Sequence, residues 1–156
     1  MTDKINIPAN LPKTPIEEGE VCICFYLRKV ARIITHIYDE KMRPLGYRAT
    51  QINLLGVINQ QQPVTVKALA GSTDADPTTL IRNLRVLERK DLVHLAPGED
   101  RRERLVTITA KGQKVLAKVY PVWKAVQDQI AAQVGRERLH QLLGDLGLAL
   151  EKVQKK

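Results

Sequence analysis

The chain has 156 residues, of which 44% are hydrophobic and only 4% aromatic, and carries a formal net charge of +8. That length suits one domain, or one compact unit with helical extensions, and its core must be built from aliphatic side chains. The charge favours a polyanionic partner, nucleic acid before acidic membrane. No apolar run reaches the length of a membrane span, and Met1 to Pro15 does not read as a signal peptide.

Residues 1–16 carry Pro8, Pro12 and Pro15 and are expected to form an extended arm, because proline at that density blocks helix. From Glu17 to Arg43, Ile23, Leu27, Val30, Ile34 and Ile37 repeat at three- and four-residue steps, with Val21, Ile33 and Tyr38 widening the stripe. This predicts a long helix whose apolar face needs more than one neighbour, stopped by Pro44 and Gly46. A second helix is expected from about Thr50 to Asn59, with Ile52, Leu55 and Ile58 on one face and Pro63 closing it. Val66, Leu69 and Ala70 predict a short third helix ending at Gly71. After polar Ser72 to Ala75 comes Asp76-Pro77-Thr78-Thr79, an N-capping aspartate followed by a proline suited to the first helical position. This fourth helix runs to about Lys90. Leu92 to Leu95 reads as a strand, Pro97 to Arg102 as a polar hairpin tip, and Arg104 to Ile108 as the alternating return strand. Thr109 caps a helix from Ala110 to Val134, which Pro121 should kink and Gly135 should end. A last helix, about Glu137 to Gln154, carries Leu139, Leu142, Leu143, Leu146 and Leu150.

A short helix joined by a tight turn to a capped second helix is a helix-turn-helix, and the hairpin behind it supplies a wing. The expected fold is therefore mainly α with a small β-hairpin: a winged helix-turn-helix with long N- and C-terminal dimerisation helices. Its parts are an arm over 1–16, an N-terminal dimerisation helix over 17–48, a DNA-binding domain over 49–109 and C-terminal dimerisation helices over 110–156. On a helical wheel Leu80, Leu84 and Leu87 share one side of the fourth helix, while Thr78, Arg82, Arg85 and Arg89 fall opposite. Such a face can lie in the major groove, with arginines reaching guanine edges or phosphates, Thr78 and Thr79 donating to phosphates at the helix start, and Asn83 on the flank reading adenine. The alternative is a solvated charged face. The wing tip holds Arg101, Arg102 and Arg104 beside Glu99, Asp100 and Glu103. Arg102 suits a narrow minor groove, with Asp100 holding it in place; ordinary solubilising charge is the alternative. The broad apolar faces of the end helices suggest a two-fold dimer presenting two reading helices about one DNA turn apart, which matches a palindrome. The alternative is a monomer whose end helices pack on each other.

The chain carries in order Leu45-Gly46-Tyr47-Arg48-Ala49-Thr50-Gln51, Asp76-Pro77-Thr78-Thr79-Leu80-Ile81-Arg82-Asn83-Leu84, Leu87-Glu88-Arg89-Lys90-Asp91-Leu92-Val93, and Asp100-Arg101-Arg102 leading to Leu105-Val106-Thr107-Ile108-Thr109-Ala110-Lys111-Gly112. On these residues the chain from Leu27 to Leu116 resembles the MarR family of winged-helix regulators. The resemblance implies a triangular dimer built from the terminal helices. It also implies binding to palindromic promoter DNA, usually as a repressor, with release by a small aromatic or phenolic ligand or by cysteine oxidation. Carried over by position, Pro77 to Lys90 is the recognition helix, with Thr78, Thr79, Arg82, Asn83 and Arg85 toward DNA and Asp100 and Arg102 in the wing. Asp91 stands where many relatives have glycine, so that turn is expected to differ; Pro77 replaces a basic or polar residue and removes one DNA contact.

Cys22 and Cys24, too few and too close for a disulfide scaffold, sit at the start of the first helix and point to different faces. The family's peroxide-sensing members have a reactive region similar to Cys24-Phe25 with Tyr38 beyond it, although Arg28 stands where an aromatic hydroxyl is expected. Both cysteines are candidate redox sensors, and small packing residues are the alternative. Tyr38, Arg43 and Tyr47 are candidates to line a pocket for a small-molecule effector. His36, His94 and His140 lack metal-ligand spacing, Trp123 reads as a packing residue, and no cofactor is expected. No nucleophile–base pair, phosphate-cradling glycine loop or paired carboxylate argues for an enzyme. A cytoplasmic, homodimeric DNA-binding regulator is the leading expectation, and a winged-helix protein-interaction module is the alternative.

Overall fold

The computed structural model of the chain describes residues 22–100 and 103–154. The predicted arm and the first turn predicted for the opening helix lie outside the described residues. The chain divides into two units, Met1–Ile37 and Tyr38–Lys156. The elements are α1 (Ile23–Met42), a 3-10 turn (Arg43–Leu45), α2 (Ala49–Gln61), β1 (Val64–Thr65), α3 (Val66–Thr73), α4 (Pro77–Arg89), β2 (Val93–Pro97), β3 (Arg104–Ile108), α5 (Ala110–Val134) and α6 (Arg136–Gln154).

In the first unit, α1 exposes Ile23, Phe25, Leu27, Val30 and Ile33, so its predicted apolar stripe is left uncovered over several turns.

The second unit holds the core, in which Met42, Leu55, Ile58, Leu69, Leu80, Leu84, Leu87, Leu92, Val106 and Val119 are buried. Pro44 and Gly46 stop α1 as expected, Gly46 adopting φ 80°. A contact from ten residues back sets the start of α2: the Asp39 carboxylate accepts the Ala49 N–H at 2.7 Å. The Gln51 side chain accepts the Arg48 N–H at 3.3 Å. Two of the four orphan donors at a helix start are thereby satisfied without a Ser or Thr cap.

The third helix departs from expectation. It continues through Gly71 to Thr73 and stops at Asp74, which takes up the left-handed conformation with φ 46°. An interior glycine costs only about 1 kcal/mol, and the buried Leu69 holds the helix to the core. The Thr73 hydroxyl donates to the Leu69 carbonyl at 2.6 Å and adds a local bond to the last turn.

The predicted hairpin gains a third strand. β1, only two residues long, pairs antiparallel with β3 through Val64–Val106 and Thr65–Leu105, and the strand order is β1-β3-β2. Two residues are too few to show an alternating pattern, so β1 carries no period of its own. The Gln62 amide oxygen accepts the Ile108 N–H at 2.9 Å and anchors the base of β3. β2 starts at Val93 and reaches Pro97, beyond the predicted Leu95. Proline is admissible there because β2 is an edge strand.

The end of α4 is a Schellman motif. The Asp91 N–H donates to the Glu88 carbonyl at 2.8 Å and the Leu92 N–H to the Leu87 carbonyl at 3.0 Å. Asp91 occupies the left-handed position with φ 59°, so the turn keeps the conformation that glycine favours. Leu87 and Leu92 are both fully buried and supply the apolar contact that accompanies the motif. Thr109 then joins three elements. Its hydroxyl donates to the Asp91 carbonyl at 2.8 Å and accepts the Gly112 N–H at 3.0 Å as the cap of α5. Gly112 lies so close beneath that a Cβ there would sit 2.3 Å from the Leu92 carbonyl oxygen and 2.6 Å from Ile108 Cγ1.

α5 passes through Pro121 and ends at Gly135, φ 94°. Asp128 pairs with Lys124 at 2.6 Å and with Arg136 at 3.6 Å, across the α5–α6 junction. The Lys124 hydrogen bond is the main reason its carboxyl lies below the usual carboxylate range. Along α6, Leu142, Leu143, Leu148, Leu150 and Val153 are exposed.

Candidate nucleic-acid interface

Helix α4 is oriented by its two faces and its cap. The Asp76 carboxylate accepts the Thr79 N–H at 3.0 Å, fixing where the helix begins. Leu80, Leu84 and Leu87 are at most 2% exposed and hold one side of the helix in the core. Thr78, Arg82, Arg85 and Arg89 are consequently turned outward, all exposed, and with Ile81 they border a shallow cleft of about 490 Å³. Thr79 is exposed and Asn83 half-buried on the flank. Because Asp76 takes the Thr79 amide, the donor Thr79 retains for a ligand at the helix start is its hydroxyl. A row of guanidinium groups on an exposed helix face can make bidentate bonds to guanine edges or pair with phosphates.

The wing is closed by the Gly98 N–H donating to the Glu103 carbonyl at 3.0 Å and the Glu103 N–H donating to the Asp100 carbonyl at 2.9 Å. Asp100 is exposed at this tip and Arg104 is exposed at the start of β3. Arg101 and Arg102, the predicted wing contacts, lie outside the described residues, as does any pairing of Asp100 with Arg102.

Two features of α4 have no counterpart in the sequence pattern. Ile81 is 44% exposed within the arginine face; its position on the helical wheel, off the leucine row, was the available signal. Lys90, at the end of α4, donates from Nζ to the Gly46 carbonyl at 2.9 Å and lies 4.8 Å over the Tyr47 ring. This staple fixes the end of α4 to the turn that follows α1. Its partners are 44 residues apart, so no local pattern announces it.

The candidate effector residues occupy different surroundings. Tyr38 is half-buried against the core, and burial pushes its phenol above the ordinary tyrosine value. Arg43 is exposed and ion-paired with Glu40. Tyr47 lies beneath Lys90. None of the three lines the cavity of about 410 Å³ between α2 and α5. That cavity is walled by Ile52, Val57, Leu116 and Val119, with Tyr120 and Trp123 on one side and Asn53 and Gln60 supplying amides. The two rings stack with centroids 5.9 Å apart, so Trp123 both packs on the core and faces a cavity. Cys22 is half-buried and Cys24 exposed. The Cys22 carbonyl accepts the Tyr26 N–H at 3.2 Å, which puts Cys24 in the first turn of α1. His36, His94 and His140 are all exposed, and no cluster of His, Cys, Asp or Glu among the described residues could hold a metal ion. Among those residues, no helix is long and apolar enough to cross a membrane.

Comparison with known proteins accords with this geometry. A family model described as a winged helix DNA-binding domain matches residues 48–112. The transcriptional regulator MosR of M. tuberculosis, solved in complex with DNA, is 36% identical, with a TM-score of 0.73 over 86% of this chain and 99% of that one. A MarR-family transcriptional regulator from Rhodococcus sp. RHA1 shares the fold at 18% identity, with a TM-score of 0.69 over 80% of this chain and 90% of its own. The HTH-type transcriptional regulator YwoH of Bacillus subtilis (strain 168) is 28% identical over 88 residues, 56% of this chain and 64% of that relative's length. The chain belongs to the MarR family of winged-helix, DNA-binding transcriptional regulators.

Proposed function

We propose that the protein binds palindromic promoter DNA as a homodimer, represses the genes it controls, and is released by a small aromatic or phenolic effector or by oxidation of Cys22 or Cys24. The observation that carries this reading is the sorting of α4. Three leucines are sealed in the core, and Thr78, Arg82, Arg85 and Arg89 face outward together. In this reading residues 49–109 read DNA, with α4 in the major groove and the Asp100–Arg102 tip in the minor groove. Thr78 and Thr79 contact phosphates, Arg82, Asn83 and Arg85 contact base edges, and Arg89 and Arg101 add backbone contacts. The relative MosR, crystallised with DNA, supports the reading.

The dimer reading rests on apolar surface. α1 and α6 each expose a run of large aliphatic side chains, and surface of that kind is a liability unless a second subunit covers it. Residues 17–48 and 110–156 are assigned to that interface. For the effector, a cavity of about 410 Å³ with aliphatic walls, stacked aromatics and two amides has the size and lining of a site for a small aromatic acid or phenol. Cys24, in the first turn of α1 and exposed on the single chain, is the thiol assigned to the redox route. The protein acts in the cytoplasm, where promoter DNA lies.

The test is a mobility-shift assay on the DNA upstream of the protein's own gene at two salt concentrations. Specific retention of a palindromic fragment, with affinity falling steeply as salt rises, is expected. Absence of binding to any duplex would favour a protein-interaction module instead. Release is tested by repeating the shift with phenolic acids, and after mild peroxide with mass spectrometry in parallel. Unchanged affinity of protein oxidised at Cys22 or Cys24 would remove the redox route.

A further inference from the structure

We propose that Ile81 is a specificity-determining residue that reads the C5-methyl group of a thymine in each half-site, resting on the assignment of α4 as the DNA-reading helix. A single exposed isoleucine is ordinary on a protein surface, but its position here is informative. The leucine row already satisfies the core side of α4, with Leu80, Leu84 and Leu87 sealed. At roughly 100° per residue, Ile81 falls off that row and beside Thr78 and Arg85, one helical turn to either side. All three border the same outward cleft as Arg82 and Arg89. Ile81 is 44% exposed, and a β-branched side chain gains nothing from helix propensity at such a position.

The chemistry of the groove selects its partner. The edge of a base pair in the major groove presents nitrogen and oxygen donors and acceptors and one apolar group, the thymine methyl. An arginine beside an isoleucine therefore fits a guanine or phosphate next to a thymine: the guanidinium takes the acceptors, and the branched aliphatic chain covers the methyl and excludes water from it. Cytosine offers no methyl at that position unless it is methylated at C5. The same contact therefore predicts that 5-methylcytosine substitutes for thymine, as far as this one position is concerned.

The experiment begins by selecting duplexes from a random library with the full-length protein. Each thymine of the selected site is then replaced by deoxyuracil, which deletes only the methyl. Affinities are measured for the parent and for Ile81→Ala, whose substitution lies outside the core and whose fold is checked by circular dichroism. At one thymine per half-site, methyl deletion should weaken the parent about three- to tenfold and leave Ile81→Ala unchanged, and 5-methylcytosine there should bind the parent better than cytosine. A selected palindrome in which no thymine shows an Ile81-dependent methyl effect overturns the assignment while leaving the DNA-reading role of α4 intact. Failure to enrich any sequence overturns that role, and the assignment with it.

Discussion

At the scale of single residues, charge and backbone conformation act separately. Arg82 contributes nothing to the core and projects from the face opposite Leu80, Leu84 and Leu87. Arg82→Ala should therefore leave the melting temperature unchanged while weakening specific DNA binding by roughly 1–3 kcal/mol and relaxing base preference at one position. Fluorescence anisotropy with matched and single-substitution operators checks it; an equal loss on all sequences would reassign Arg82 to phosphate. Asp91 is the converse case, a residue whose role is in its backbone. It holds φ 59° in a turn where its carbonyl accepts the Thr109 hydroxyl, a bond that glycine would retain. Asp91→Gly relieves the left-handed strain and gives back part of the gain as chain entropy, so it should stabilise the fold by roughly 0.5–1 kcal/mol. The readout is a higher urea midpoint at unchanged slope.

At the scale of elements, the reading helix is held by its neighbours as much as by its own sequence. Its start is set by Asp76, its inner face by three leucines, and its end by the Schellman turn, the Thr109 bridge and the Lys90 staple. At Gly112, α5 lies against Leu92 and Ile108 so closely that there is no room for a side chain. Gly112→Ala must push α5 away from Leu92 and Ile108 and should cost about 3 kcal/mol. The same substitution at Gly71 in α3, where a Cβ meets nothing within 4 Å, should instead stabilise by about 1 kcal/mol through helix propensity. Chemical denaturation of the two variants side by side checks the pair. Equal effects would mean that close packing is not what Gly112 provides.

At the scale of the whole molecule, the decisive feature is apolar surface that one chain leaves uncovered. If that surface is the subunit interface, placing charge on it should separate the subunits without unfolding the winged domain, whose core is built from other residues. The variant Leu143→Glu with Leu150→Glu should sediment as a monomer while the parent sediments at twice the chain mass. Operator affinity should fall by about two orders of magnitude or more, because the two half-sites are no longer bound as one ligand. A charged variant that stays dimeric would move the interface off α6.

Features that depend on near neighbours are legible in the chain alone. Among the described residues, periodicity marks the six helices and the two longer strands, Asp76 and Thr109 declare the starts of α4 and α5, and the wheel of α4 turns its arginines outward. These signals are local because caps, helix faces and hairpins are closed by residues a few positions apart. Other features come from long-range packing. β1 exists because β3 offers it a partner, α2 begins where Asp39 reaches back to it, and α3 runs past Gly71 because Leu69 is held in the core. The anchors Gln62–Ile108 and Lys90–Gly46 join residues 46 and 44 positions apart, and the cavity between α2 and α5 is a space that only packed helices can define. Contacts of that span leave no periodic trace in a chain, because each is satisfied by a single residue whose identity has meaning only once its distant partner is in place.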